Sequence, residues 1–242
     1  MQRSRFFLIA LLSMTLIGLE LTWTRIFSAE FFYTFAFLVL SLAVLGLGLG
    51  ALALRLFSTL NKEKNMPVLL FLTTLFALLG SPAVFLLNLN FSLIFSDWLM
   101  AGKMLLAIVI LSSAYFTGGI ALALIFRHYS CDMPRLYMAD LLGAALGVIL
   151  AIFMMNALGT PQTTFLIAVP ALLAAFISSR RWFKLAPLAL VLLMGFLMSR
   201  SEPLLQAERE ERAQVIHTHW DAMAKVKVYK PAKTYQMLNI EN

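Results

Sequence analysis

The chain has 242 residues and a formal net charge of +7, and 61% of its residues are hydrophobic while only 13% are charged. A soluble globular domain has about 45–50% apolar residues, so this composition excludes an ordinary soluble domain. It predicts an all-α polytopic membrane protein that spans a lipid bilayer. The positive charge does not indicate nucleic-acid binding, because most basic residues lie in loops between apolar segments. Cys131 is the single cysteine, which excludes an intramolecular disulfide.

Seven apolar segments predict about seven transmembrane helices, which together form a membrane domain over residues 1–199. Five segments are long enough to cross about 30 Å of hydrocarbon. The last two hold 16 and 15 residues, so they are short for full crossings and are compatible with a tight helical hairpin. The first follows a basic N-terminus without small residues at a cleavage position, which predicts an uncleaved signal anchor. The segments cover about residues 6–23, 31–54, 67–87, 103–126, 136–156, 163–178 and 185–199.

The basic residues of the loops predict the orientation, because cytoplasmic loops carry an excess of Lys and Arg. With the N-terminus on the cytoplasmic side of an inner (plasma) membrane, the segments before the tail carry ten basic residues inside and only Arg25 and Lys103 outside, and the other seven basic residues lie in the tail, where six acids nearly balance them. The inside residues are Arg3, Arg5, Arg55, Lys62, Lys64, Arg127, Arg135, Arg180, Arg181 and Lys184. Seven full crossings would place the C-terminal tail outside.

One carboxylate, Asp140, lies in the apolar fifth segment. On a helix, Asp140, Gly143 and Gly147 share one face, since their spacing is i, i+3 and i+7. The two glycines form a small-xxx-small pair that lets a neighbouring backbone come close. A carboxylate in hydrocarbon costs about 2.5–3.5 kcal/mol on insertion scales, so it is expected to have a partner in the bundle. The alternative is that Asp140 lies near the headgroups at a helix end.

Glycines also mark the second segment. Gly46, Gly48 and Ala51 match a dinucleotide-binding pattern, but that pattern requires a preceding strand, and here the run is continuously apolar. We interpret Gly46 with Gly50 as one packing face and Gly48 as part of a second, so that two neighbouring helices could contact this segment.

Further polar residues complete a candidate intramembrane site. Glu20 and Arg25 lie near the outer end of the first segment, where a neutralised interfacial cluster and a substrate-facing mouth are both compatible with the pattern. Tyr115 and Thr117 belong to the hydroxyl-rich fourth segment, which is expected either to bond to neighbouring helices or to hold Asp140. The candidate site therefore comprises Asp140, Glu20, Arg25, Tyr115 and Thr117. No residue pattern indicates a catalytic, cofactor-binding or metal site.

After Arg200 the sequence changes character, and residues 200–242 predict a short soluble tail. Ser201 to Pro203 indicates the start of a short helix. From Val215 the apolar period becomes two, which predicts two or three strands of a β-hairpin or meander. A lone hairpin is marginal in water, so these strands are expected to pair with something else. His217 and His219 would share one face of a strand, but no third ligand accompanies them.

Three segments together resemble a known family. They are Glu20 to Ser28, Phe35 to Gly50, and above all Tyr137 to Gly147 with the sequence YMADLLGAALG. They are similar to the membrane domain of bacterial membrane-bound spermidine synthase-like proteins. His219 to Val226 resembles the strand that enters their aminopropyltransferase-type, S-adenosylmethionine-fold domain. The resemblance implies a membrane module of a polyamine aminopropyltransferase-related system.

The resemblance does not extend to the chemistry. No glycine-rich loop, acidic ribose-binding residue or catalytic aspartate follows Ile240. We therefore expect the isolated chain not to be catalytic, with the catalytic domain either lost or supplied by a separate chain that pairs with the tail. The expected outside position of the tail conflicts with the cytoplasmic location of S-adenosyl cofactors. Two alternatives remain: a small carrier for an amine or other solute that uses Glu20 and Asp140, and a non-catalytic scaffold. The glycine faces are compatible with a homo-oligomer in either case.

Overall fold

A computed structural model describes residues 2–31, 33–89, 97–179, 185–207 and 215–229. The described chain is a bundle of helices followed by one β-hairpin. The helices are α1 (Gln2–Glu30), α2 (Thr34–Leu56), α3 (Met66–Leu86), α4 (Trp98–His128), α5 (Met133–Leu158), α6 (Thr160–Leu166), α7 (Val169–Ser178), α8 (Leu185–Ser199) and α9 (Ser201–Leu204). The strands are β1 (Val215–Trp220) and β2 (Lys225–Tyr229).

Six helical stretches in the described part of the chain are long and apolar enough to cross a membrane. Five of them are α1 to α5, and the sixth is Thr160–Ser178, in which α6 and α7 follow one another. The seventh predicted segment, α8, has 15 residues and is shorter than a usual crossing. Helix α1 extends past the predicted end at residue 23 to Glu30, because no Gly or Pro interrupts residues 24–30.

Helix α1 lies at the centre of the bundle, where it packs against α5, α2, α7 and α6. Its residues Trp23 and Phe27 are fully buried. The ring of Phe27 stacks on Phe85 of α3 with centroids 5.4 Å apart. Gly80 of α3 makes room for Trp23, because a Cβ at this position would come within 2.6 Å of the indole ring. The core is therefore built around the C-terminal half of α1.

Glycines bring two pairs of helices into backbone contact. A Cβ at Gly147 of α5 would lie 2.6 Å from the carbonyl oxygen of Met14, and Gly143 lies against the backbone of Ala10 in the same way. Between α2 and α4, a Cβ at Gly46 would lie 2.9 Å from the carbonyl oxygen of Ser112. Gly50 faces the same helix. These contacts let α1 pack on α5, and α2 on α4, without intervening side chains.

Gly48 differs from the prediction that both glycine faces of α2 contact a neighbour. A Cβ at Gly48 would meet nothing within 4 Å, and the residue is exposed. The reason is that α2 packs chiefly against α4 and α1, so the face that carries Gly48 points away from the bundle.

The hairpin is an antiparallel pair of two strands. Cross-strand partners include Trp220 with Lys225 and His219 with Val226, and an irregularity lies between Val215 and His217. The strand Val215–Trp220 agrees with the predicted alternation. The residues after Tyr229, which would form a third predicted strand, lie outside the described residues.

Candidate functional site

Asp140 has its partner on the central helix. The hydroxyl of Ser13 donates a hydrogen bond to the Asp140 carboxylate, across the same α1–α5 contact that Gly143 and Gly147 allow. Ser13 is buried and Asp140 is half-buried. The carboxylate is therefore held between α1 and α5, and not by the hydroxyl groups of α4.

Glu20 lies one helical turn before Trp23 on α1, and Trp23 contacts Tyr115 of α4. Tyr115 is fully buried and packs edge to face on Trp23, with ring centroids 5.8 Å apart. The Tyr115 hydroxyl and the Trp23 indole N–H are buried and form no hydrogen bond to the described part of the chain. This cluster contains polar groups, but the large rings of Trp23 and Tyr115 fill the space between the helices.

The other predicted polar residues lie elsewhere. The Thr73 hydroxyl of α3 donates to the Thr117 hydroxyl at 3.1 Å, and Thr117 donates to the Ser113 carbonyl oxygen of its own helix at 3.0 Å. Arg25 lies beside the hairpin turn, with its Nη2 atom 4.0 Å from the sulfur of Met223. The five predicted residues therefore fall into four separate environments, and the described contacts do not join them into one site.

The contacts that connect the hairpin to the bundle form a different site, at the junction of α5 and α6. Helix α5 ends at Gly159, whose φ of +83° belongs to the left-handed region that favours glycine. Thr160 and Pro161 then begin α6, as is common for proline in a first turn. This break leaves the side chains of Asn156 and Thr160 at the end of the bundle. We call Glu30, Asn156, Gly159 and Thr160 the hairpin seat.

The turn between the two strands is held by the hairpin seat. The backbone N–H of Ala222 donates to Oδ1 of Asn156 at 3.0 Å, and the Thr160 hydroxyl donates to the carbonyl oxygen of Asp221 at 3.0 Å. The side chain of Trp220 contacts Gly159, where an added Cβ would lie 3.3 Å from the Trp220 Cβ. Two hydrogen bonds and one packing contact therefore fix the turn to the α5–α6 junction.

Within the turn, Asp221 organises the backbone. Its Oδ1 accepts hydrogen bonds from the N–H groups of Met223 at 2.6 Å and Ala224 at 2.7 Å. The bonds from Ala224 and Met223 lower the pKa of the Asp221 carboxyl, because they stabilise its charged form.

A buried ion pair ties β2 to the end of α1. The Lys225 ammonium donates to Oε1 of Glu30, and the two side chains are only 9% and 4% exposed. The backbone N–H of Ala207 donates to the other oxygen of Glu30 at 2.9 Å. A carboxylate at a helix C-terminus is disfavoured by the helix dipole, so Glu30 depends on these two donors. The Lys225 ammonium also lies 4.6 Å from the ring centroid of Trp220.

The opposite face of the hairpin is open. Four exposed residues alternate with the residues that face the bundle. They are His217, His219, Val226 and Val228. His219 pairs with Val226 and His217 with Val228 across the strands. The two-stranded sheet therefore has one face on the bundle and a mixed apolar and polar face without a neighbour in the described part of the chain.

A second polar cluster lies at the other end of the bundle. The Tyr129 hydroxyl donates to the carboxylate of Glu63, and the Arg5 guanidinium lies 3.7 Å from the Tyr129 ring centroid. Burial and the hydrogen bond to Glu63 raise the pKa of Tyr129 to about 12. This cluster joins the beginning of α1, the loop before α3 and the loop after α4.

No protein-family model, curated protein or solved structure matches the chain. The fold and the site therefore define only a class of protein. It is a helical protein with six helices long and apolar enough to cross a bilayer in its described part, and it carries a hairpin docked at one end of the bundle.

Sequence reasoning missed the hairpin seat. In the sequence Glu30 lies five residues after Arg25, and Asn156 ends the fifth apolar segment, so neither position marks a site. The local signals were Gly159 followed by Thr160 and Pro161, which mark a helix end and a new start. Nothing local indicates that Lys225 is the partner of Glu30, since 195 positions separate them.

Proposed function

We propose that this chain is an integral membrane module that docks a separate β-sheet protein of the aminopropyltransferase type at one end of its helical bundle. The observation that carries the proposal is the fixed hairpin, which is tied to the bundle by a buried ion pair and two further hydrogen bonds. Among the described residues the hairpin has open edges, and open edges pair with strands of other chains.

The exposed face of the hairpin supports the same proposal. Val226 is 50% exposed and Val228 is 47% exposed, and each is paired with an exposed histidine on the neighbouring strand. A partner sheet that covered these residues would bury apolar area that is otherwise open to solvent. The resemblance of His219 to Val226 to the entry strand of an aminopropyltransferase-type domain supplies the class of the partner.

The proposal includes an arrangement in the inner (plasma) membrane. Each of the first five helices has a basic residue at or near the end that is opposite to the hairpin seat. These residues are Arg5, Arg55, Lys62, Arg127 and Arg135. The excess of basic residues at that end supports a cytoplasmic N-terminus. With α8 as a seventh, short crossing, residues 1–199 form the membrane domain and residues 200–242 form the tail.

Catalysis is not part of the proposed role. The predicted orientation puts the hairpin on the outer side of the membrane, away from cytoplasmic S-adenosyl cofactors. We therefore propose docking of a related fold, with no catalytic residue or cofactor contributed by this chain. A homo-oligomer that uses the glycine faces stays a prediction.

Co-purification from the native membrane tests the docking. Tagged full-length protein is solubilised in detergent, and the chains that accompany it are identified by mass spectrometry. We expect a partner with an S-adenosylmethionine-type fold. It should be lost in Lys225→Met, because this change leaves the Glu30 carboxylate buried without its ion-pair partner, at a cost of about 3–5 kcal/mol.

Lys64→Met is the matched control, because it makes the same change at an exposed lysine at the opposite end of the bundle. Hydrogen exchange of residues 215–229 and of the helices checks that Lys225→Met releases the hairpin and leaves the bundle folded. A preparation without such a partner, or a partner retained equally by Lys225→Met with a released hairpin, would contradict the proposal.

The carrier hypothesis stays a prediction without a supporting contact. Asp140 is bonded to Ser13, and Thr117 is bonded within the α3–α4 contact. Amine uptake into proteoliposomes that contain the purified chain would test it directly.

A further inference from the structure

A cavity of about 240 Å³ lies between the hairpin and the bundle. The last turn of α5 and the first turn of α6 form one wall, with Asn156, Gly159 and Gln162. Residues Thr218 to Trp220 of β1 form another wall, and Glu202 of α9 completes the lining. Three parts of the chain that are distant in sequence therefore enclose one polar space.

The electrostatics of this cavity favour a cation. Glu202 is the only Asp, Glu, Lys or Arg among the described residues of the lining, and His219 is the other ionisable residue there. The end of α5 and the beginning of α6 both border the cavity and carry partial charges of opposite sign, so the Glu202 carboxylate decides the preference. The Trp220 indole supplies an aromatic surface, which attracts cations.

The ammonium group that contacts the Trp220 ring is already neutralised. Lys225 lies 4.6 Å from the Trp220 ring centroid, but it is paired with the buried Glu30. Glu202 has no ion-pair partner in the described part of the chain. Of these two carboxylates, Glu30 is paired with Lys225, and Glu202 at the cavity has no ion-pair partner among the described residues.

The size and the donor set indicate which cation fits. A metal ion requires several oxygen ligands close together, whereas this lining offers a single carboxylate in about 240 Å³. Pockets for drug-sized ligands are larger, about 300–1,000 Å³. A compact organic cation matches both the volume and the combination of one carboxylate with one indole.

We propose that this cavity binds a small organic ammonium ion, with the Glu202 carboxylate as counter-ion, Trp220 as an aromatic wall, and the amide oxygen of Gln162 as an acceptor. The bound cation would bridge the bundle and the hairpin, because its contacts come from both. The proposal does not rest on a docked partner protein, since every residue of the cavity belongs to this chain.

Calorimetric titration of the purified full-length chain in detergent tests the proposal, with choline as the probe. We expect saturable binding, and a loss of affinity of about tenfold or more in Glu202→Gln, because a charge-assisted contact is removed. Asp97→Asn is the matched control. It also removes one carboxylate, at the N-cap of α4, where the side chain accepts from the Leu99 N–H at 2.9 Å and asparagine caps equally well.

A neutral ligand of the same shape separates charge from size. We expect 3,3-dimethylbutanol, in which carbon replaces the choline nitrogen, to bind at least about tenfold more weakly than choline. Choline should also slow hydrogen exchange of residues 215–229 in the unmodified chain and not in Glu202→Gln. Absence of choline binding, equal affinity in Glu202→Gln, or equal affinity for the neutral ligand would each overturn the proposal.

Discussion

Different groups neutralise or hydrogen-bond the carboxylates of this protein. Glu30 is buried and needs both Lys225 and the Ala207 N–H, whereas Asp221 is satisfied by backbone N–H groups of its own turn. The sequence predicted that Asp140 requires a partner, and the structure places the Ser13 hydroxyl against it. The partner could not be predicted because it lies on another helix.

Asp221 makes the hairpin sensitive to acid. Its pKa is lowered in the folded chain by the Ala224 and Met223 N–H groups, so its contribution to stability is present above the unfolded pKa of about 3.9. That contribution is lost as the pH falls through the lower, folded pKa. We expect cleavage within residues 215–229 by pepsin to accelerate as the pH falls below about 4.

Asp221→Asn provides the control for that measurement. The amide oxygen can accept the same two hydrogen bonds but does not titrate in this range. The ratio of cleavage rates between the unmodified chain and Asp221→Asn should therefore change with pH. A constant ratio would show that Asp221 does not link the turn to pH.

At the scale of elements, glycine positions predicted where helix backbones come close, but not which helix is the neighbour. Gly147 meets Met14 of α1, and Gly46 meets Ser112 of α4. Gly48 lies in the same glycine-rich turn of α2 as Gly46 and yet meets nothing. A small residue is a property of one helix, whereas contact depends on the position of that helix in the bundle.

This difference predicts opposite effects of one substitution. Gly147→Ala should destabilise the chain by about 1–3 kcal/mol, because the new methyl group meets the Met14 backbone, which cannot rotate away. Gly48→Ala should be neutral or stabilise by up to about 1 kcal/mol, since alanine favours a helix and nothing obstructs its methyl group. Unfolding of detergent-solubilised protein by SDS, followed by circular dichroism, measures both changes. Equal effects of the two substitutions would contradict the packing of α5 on α1.

At the scale of the whole molecule, the two ends of the bundle carry different chemistry. One end has the Arg5, Tyr129 and Glu63 cluster and the exposed Cys131. The other end has the hairpin seat, next to which Met223 is 76% exposed. The proposed orientation places the first end in the cytoplasm.

Cysteine labelling tests this orientation. A membrane-impermeant maleimide should label Cys131 only after the cells are permeabilised. In a Cys131→Ser background, Met223→Cys should be labelled in intact cells. The reverse pattern would place the hairpin in the cytoplasm, and labelling of both sites in intact cells would contradict a single orientation.

The sequence by itself determined the features that local patterns encode: long apolar helices, the asymmetry of basic residues between loops, and a two-residue period in the tail. These are readable because each is a property of consecutive residues in one segment. The tertiary structure alone decided that α6 and α7 share one apolar stretch and that Ser13 faces Asp140. It also decided that Lys225 reaches Glu30. Such contacts depend on the relative positions of helices and of a hairpin distant in sequence, and no local pattern contains that information.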